Sequence, residues 1–236
     1  MQLNTEFMRQ TLIDVLAGVP VTLKLTFVTL LLSAPPAFWI ALGKTEGGKN
    51  RGKISGVYVS VVRGTPVVVQ ILFLYSLLPT MLNYLIKNVF RLDFNIFNID
   101  AVWYAYIIFI LNTTAVLSEV FRSALLAVDG GQLEAALSIG LSRRQAYMRI
   151  IIPQALMSAL PNICNTTVSL LKNSSLAFMM TVKDITAIAK VKAAYGYNYI
   201  EAYLVILLMY VILCSVVQGI FRLLENAVSV RRRAAV

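Results

Sequence analysis

Residues 202–221 read AYLVILLMYVILCSVVQGIF, an uncharged apolar run. A bilayer's hydrocarbon core is roughly 30 Å thick, and an α-helix crosses it with about 20 predominantly apolar residues. Four further stretches, 25–42, 64–86, 101–118 and 150–171, also lack Asp, Glu, Lys and Arg. Spanning β-strands would instead be segments of about ten residues with alternating polarity, which these continuous runs are not. Apolar residues make up 58% of the 236 positions, and mean hydropathy is +0.75. Soluble domains stay near about 45–50% apolar. The expected fold class is therefore an all-α integral membrane protein with five transmembrane helices.

The charges fall between these runs. With the amino terminus outside, twelve of the 21 Lys and Arg residues lie on the inner side, Lys44, Arg122, Arg143, Arg144 and Arg149 among them. Six lie outside: Arg9, Lys87, Arg91, Lys183, Lys190 and Lys192. Lys24, Arg63 and Lys172 stand within or beside spans. This excess on one side orients the chain with its amino terminus outside and its carboxyl terminus cytosolic. The net charge of +10 is spread between spans rather than gathered on one basic face, which argues against nucleic acid as a partner. The outer group between residues 183 and 192 runs against the rule and is compatible with a re-entrant segment.

Other chemistries are excluded or demoted. The chain has no histidine, which removes histidine-based zinc chemistry and a Ser-His-Asp triad. Cys164 and Cys214 fall inside predicted spans and read as small packing residues. Gly47–Lys53 matches a G-x-x-x-x-G-K phosphate loop, but Ile54 stands where Ser or Thr must meet magnesium, and a membrane span precedes it. Residues 1–14 are polar, unlike a cleaved signal peptide. Segments between spans reach only about 30 residues, too few for a separate core, so one membrane domain, 1–236, is expected. Around the spans, the sequence implies an amphipathic lead-in at 1–19, a basic loop at 43–53, a short interfacial helix at 54–63 and a loop at 87–100. It also implies a partly helical outer segment at 176–201 and a basic tail, RRRAAV.

The long inner segment is the most informative. Residues 131–145 read GQLEAALSIGLSRRQ. A run of strong helix formers, 132–139, stops at Gly140, the residue type that best ends a helix. Ser142 then stands three residues before Gln145, the spacing of a capping box that starts a second helix. Pro153 suits the first turn of the fourth span. The pattern is helix, glycine break, short helix, membrane span. Such a stub is either an ordinary interhelical loop or an element that docks into a partner's groove.

Glu134-Ala135-Ala136, three residues, Gly140, nine residues, then Ile150-Ile151-Ile152-Pro153 resembles the EAA loop of binding-protein-dependent ABC importer permeases; Ile152 replaces the usual leucine. Arg63-Gly64-Thr65-Pro66 with Gln70 resembles the R-G-T-P-x-x-x-Q signature of the polar amino-acid branch. Pro161, Asn162 and Lys172-Asn173-Ser174-Ser175-Leu176 resemble its L-P-x-x-x-N and K-D-T-S-L segments, with Asn173 in place of the acid and Ser174 in place of threonine. The resemblance spans about 12–225. It implies an ABC type I importer permease fold, with a cytosolic coupling loop at about 123–153 in which Glu134, Ala135, Ala136, Gly140, Leu141, Ser142 and Pro153 serve contact with an ATPase. It also implies two ATPase subunits carrying ATP and magnesium, so that this chain has no cofactor of its own and is not an enzyme. The remaining implied partners are a second permease half (an identical copy or a homologue), an extracellular solute-binding protein and the lipid of a bacterial plasma membrane.

Polar residues inside a membrane are costly and tend to face a cavity or the bundle interior. In the fourth span Asn162, Asn165, Thr166, Ser169, Lys172 and Asn173 recur at three- and four-residue steps along one face. With Ser174, Ser175 and, from the third span, Glu119, they form the expected substrate path, Lys172 offsetting a substrate carboxylate or else snorkelling. Thr22, Thr26, Thr29 and Ser33 in the first span read instead as helix packing. Glu119 can equally pair with Arg122 three residues on, and Val116 replaces an aromatic frequent in the family. A secondary transporter is the alternative, but it would show inverted repeats and more spans. Through the stretch 112–123 the resemblance leans toward cystine or a related sulfur amino acid among the polar amino acids. A reporter fused to the carboxyl end should give a cytosolic signal, and an exported signal would break the five-span topology.

Overall fold

The computed structural model describes residues 3–45, 49–91, 94 and 96–234, and among these all regular structure is helical. The helices are α1 (Thr5–Val15), α2 (Val19–Thr45), α3 (Lys49–Gly64), α4 (Val67–Tyr84), α5 (Ala101–Leu126), α6 (Gly130–Ser138), α7 (Arg143–Ala146), α8 (Ile152–Asn173), α9 (Ile185–Gly196) and α10 (Tyr199–Ala234). A 3-10 turn, Leu16–Gly18, joins α1 to α2, and a longer one, Ser174–Met180, continues from α8.

Among the described residues four helical stretches are long and apolar enough to cross a membrane: Thr5–Thr45, Val67–Val89, Ala101–Leu126 and Tyr199–Ala227. The fourth expected span is helical as α8 but is not one of these four, because its row of Asn, Ser and Thr side chains dilutes its apolar content. Other boundaries move as well. The loop expected at 43–53 is shorter, since α2 reaches Thr45 and α3 starts at Lys49; residues 46–48, with two glycines of the phosphate-loop look-alike, lie outside the described residues. The tail is no separate segment, because α10 continues to Ala234. Part of the expected 87–100 loop is helical, with a π turn at Leu85–Val89 and a 3-10 turn at Ile96–Asn98.

The bundle is built around α2 and α5. Along α2, Thr22, Thr26, Thr29, Ser33, Ala37 and Ala41 form one fully buried stripe, at the spacing that keeps side chains on one helical face. In lipid, helices gain little from burying apolar surface against each other, so close approach through small residues drives their association. The Thr26 hydroxyl donates to the Thr22 carbonyl at 2.8 Å, and the Ser33 hydroxyl to the Thr29 carbonyl at 2.6 Å. The threonine row is therefore packing, as the sequence reading has it.

At the Ala101 end of α5, Leu25, Ile71, Ile108, Phe109, Leu170 and Met180 pack together. At the Leu126 end, Ala37, Ala41, Leu117, Phe121, Ile151 and Ala155 do so, with the Phe38 and Phe121 rings edge to face at 5.7 Å. A third cluster, including Val15, Ile185, Ala189, Ala202 and Met209, fastens α1 and α9 to α10. Cys164 and Cys214 are free and share a fourth cluster with Val168, Leu171 and Val217, which agrees with their reading as packing residues.

Gly18 is where α1, α2 and α9 meet. A Cβ there would lie 2.6 Å from the Ile185 nitrogen and 2.7 Å from the Asp184 carbonyl carbon, so only glycine lets the turn rest on that backbone. Two of the lysines that offend the charge rule are engaged in the same region. Lys190 sits 3.8 Å over the Phe178 ring, and Lys192 pairs with Asp14.

Asp184 opens α9, accepting the Ala187 N–H at 2.8 Å and the Tyr210 hydroxyl at 3.2 Å. It is fully buried, and burial pushes its carboxyl up to about 6 despite these bonds. The folded chain thus holds this proton more tightly than the unfolded chain. Its contribution to stability is complete below about pH 4 and is lost as pH rises through about 6. Asp184→Asn keeps the cap acceptor and removes the titration. Between pH 4 and 7 the wild type should lose roughly 2–3 kcal/mol from this site while the variant loses none, as read by thermal unfolding in detergent. Parallel pH profiles would refute the assignment.

Candidate coupling segment and polar helix face

The segment after α5 is ordered by local bonds. Asp129 caps α6, its carboxylate accepting the Gly131 N–H at 2.7 Å. At the far end the Gly140 N–H reaches the Leu137 carbonyl at 3.0 Å and the Leu141 N–H reaches the Ala136 carbonyl at 3.1 Å. These are the two bonds of a Schellman stop, which needs a left-handed residue at its glycine position; Gly140 supplies φ +84°. Ser142 then starts α7 through a reciprocal capping box with Gln145. The glycine break and the box stand where the sequence places them.

The short second helix does not end before the fourth span. A π turn, Tyr147–Ile151, carries it directly into α8. The cause lies in Pro153, which has no N–H for the Arg149 carbonyl and crowds it. The ladder widens there, with the Ile152 N–H bonding to the Tyr147 carbonyl, the pattern of a π bulge. Of the expected coupling residues, Glu134, Ala135, Gly140, Ser142 and Pro153 are exposed, Leu141 is half-buried and Ala136 is buried. The corner also shows Ile139 at 77% and Met148 at 62% exposure.

The expected path residues divide by burial. On α8, Asn162, Asn165, Ser169 and Lys172 are exposed along one face, which Ser158 extends. Thr166 is buried and returns its hydroxyl to the Asn162 carbonyl at 2.8 Å. Asn173 and Ser175 are half-buried and Ser174 is buried. Glu119 stands apart from this face in its bonding. Lys44 of α2 meets one of its oxygens at 2.6 Å and Arg122 the other at 2.8 Å. The pairing with Arg122 was legible from its spacing, but Lys44, 75 positions away, was not.

A second junction joins two motifs that the sequence leaves unconnected. The Gln70 side-chain amide donates to the Val62 carbonyl at 2.6 Å and to the Thr65 carbonyl at 3.0 Å. Its oxygen accepts from Asn112 of α5 at 2.9 Å. Nearby, the Tyr58 hydroxyl of α3 donates to the Leu111 carbonyl at 2.5 Å. No metal-binding group of His, Cys, Asp and Glu occurs among the described residues.

Comparison with known proteins places this arrangement. The chain is 33% identical to the probable amino-acid permease protein YxeN of Bacillus subtilis over 96% of both chains. It is 33% identical to the octopine transport system permease protein OccM of Rhizobium radiobacter over 99% of this chain and 93% of that one. With the L-cystine transport system permease protein TcyL of Bacillus subtilis it shares 31% identity over 90% and 86% of the two chains. Among solved structures it matches, with a TM-score of 0.79 and 30% identity, a chain from a crystal structure of an amino acid ABC transporter with histidines, covering 96% of this chain and all of that one. Residues 37–230 match the family described as binding-protein-dependent transport system inner membrane component. The chain is thus a multi-pass transport permease, not itself an enzyme, and it belongs to the family of binding-protein-dependent transport system inner membrane components, the permeases of ABC importers.

Proposed function

We propose that this chain forms one half of a polar amino-acid pore in a bacterial plasma membrane, opened and closed by separate ATPase subunits that bind the α6–α7 corner. The observation that carries this reading is the corner itself: a Schellman stop at Gly140 and a capping box at Ser142 hold Ile139 out at 77% exposure. A rigid projection with an apolar tip suits a groove on a partner. Glu134, Ala135, Ala136, Leu141 and Pro153 shape the segment and its footing. Nucleotide and magnesium belong to the ATPase, in two copies. Because α7 runs through the π turn into α8, a push on the corner reaches the polar face directly.

That face supports a five-span count with α8 as the fourth. Exposed Asn162, Asn165, Ser169 and Lys172 are costly against lipid, so they face water and a second permease half, an identical copy or a homologue. Lys172 offsets the carboxylate of the passing amino acid, and Thr166, Asn173, Ser174 and Ser175 shape the wall. Glu119, held by Lys44 and Arg122, acts on the path through its helix partners. The charge distribution favours an outside amino terminus and a cytosolic corner, with a solute-binding protein delivering substrate outside. The TcyL relationship supports cystine and the OccM relationship octopine. The secondary-transporter alternative has no such support.

Gly140→Pro and Glu134→Lys should leave membrane insertion unchanged and reduce co-purification with the ATPase at least tenfold; undiminished recovery of the ATPase would count against the corner. Lys172→Ala in the assembled transporter should cut uptake several-fold at unchanged assembly, whereas normal uptake kinetics would return this lysine to a snorkelling role.

A further inference from the structure

The corner between α3 and α4 is a break in backbone bonding that side chains repair. Val62 sits four residues before Pro66, which has no N–H to give its carbonyl. The Gln70 amide takes that place, donating to the Val62 carbonyl at 2.6 Å. The Thr65 hydroxyl donates to the Val61 carbonyl at 2.9 Å, and the second Gln70 N–H is shared between the Thr65 hydroxyl oxygen at 2.8 Å and the Thr65 carbonyl at 3.0 Å. The Val62 carbonyl can only accept, so the Gln70 nitrogen faces the corner, and Asn112 donates to the Gln70 oxygen at 2.9 Å on the other side. Three helices therefore meet at one side chain.

Beyond this junction α4 packs through one side, where half-buried Leu74, Tyr75 and Leu78 rest on the cluster that holds Ile71 and Phe109. Of its residues only Ile71 is buried, while α5 buries a run of side chains along its length. The Tyr75 and Tyr104 rings, edge to face at 6.1 Å, supply a further contact between α4 and α5. A helix that packs through one side only can tilt where its backbone ladder is interrupted, the place where helices bend. Here that point is Thr65–Pro66, where the chain is extended with ψ 135°.

We propose that the α3–α4 corner is the pivot of α4, and that Gln70, oriented by Asn112, is the positioning residue that sets the angle of α4 on α5. Gln70 touches no substrate in this role; it acts by holding the corner closed. Removing either amide leaves an unbonded backbone carbonyl or a free Gln70 side chain, and α4 swings from α5. The consequence for transport rests on the importer reading above, but the geometry does not.

The test uses the full chain in membranes, in a Cys164→Ser, Cys214→Ser background. Tyr75→Cys and Tyr104→Cys are bridged by a short reducible bis-thiol reagent. With the corner intact the bridge should form readily, and its absence would overturn the proposal. Gln70→Leu and Asn112→Leu should each lower the yield at least threefold, with the double variant no lower than the lower single, as for two residues acting as one unit. Gln70→Glu, which keeps size and polarity but loses the donors to Val62, should lower the yield at least twofold; an unchanged yield in these variants overturns the latch. In the complex with its ATPase, the bridged chain should lose uptake at least tenfold and regain it on reduction, whereas full uptake while bridged refutes the pivot. Failure of the unbridged chain to bind any ATPase would instead sink the importer reading, and the yields would still decide the role of Gln70.

Discussion

A backbone carbonyl shielded from water and left without a donor costs about 1–3 kcal/mol, so wherever the helical ladder is broken another group has to supply the bond. This constraint explains the irregular points of the chain better than any motif. Pro66 withholds a donor from Val62, and Gln70 supplies one. Pro153 withholds a donor from Arg149, and the ladder widens into a π turn. Gly140 ends α6 in a left-handed turn that bonds the Ala136 and Leu137 carbonyls. At each place helical pairing stops and a specific residue repairs it, and these places are the corners on which a moving part can be built.

Two polar rows on this chain have opposite fates for a related reason. On α2, Thr22, Thr26, Thr29 and Ser33 are short enough to lie flat against α5, and two of their hydroxyls bond back to the preceding turn. They let the helices approach and are fully buried. On α8, Asn162 and Asn165 carry amides with both donors and acceptors to satisfy, and Lys172 carries a charge. That row stays uncovered within the chain. The two asparagines and the lysine, more than the serines beside them, make this a face that needs water or a partner.

What the sequence reveals of this fold is local. The helical runs, the Gly140 stop, the Ser142 capping box and the Glu119–Arg122 pair all depend on residues within a few positions of each other, so spacing discloses them. The bonds that assemble the bundle do not share that property. Gln70 meets Asn112 across 42 positions and Lys44 meets Glu119 across 75, and no periodicity announces either. Gly18 reads as an ordinary loop glycine until α9 is laid against it. Even the shortfall in span-like helices has a local origin, since the residues that give α8 its polar face are the ones that make it a poor membrane segment by composition alone.

The widened turn at Tyr147–Ile151 also sets a phase. Ala146, Ile151, Ala155 and Ala159 are all buried, yet five positions separate the first two and four separate each later pair. In an unbroken α-helix, where each residue advances about 100°, a five-residue step would carry Ile151 off that side. The additional residue accommodated by the π turn returns it. The π turn therefore absorbs one residue without changing the angular relation between the corner and the polar row; the same residues wound as an unbroken α-helix would turn Asn165 toward the side where Ala155 now lies.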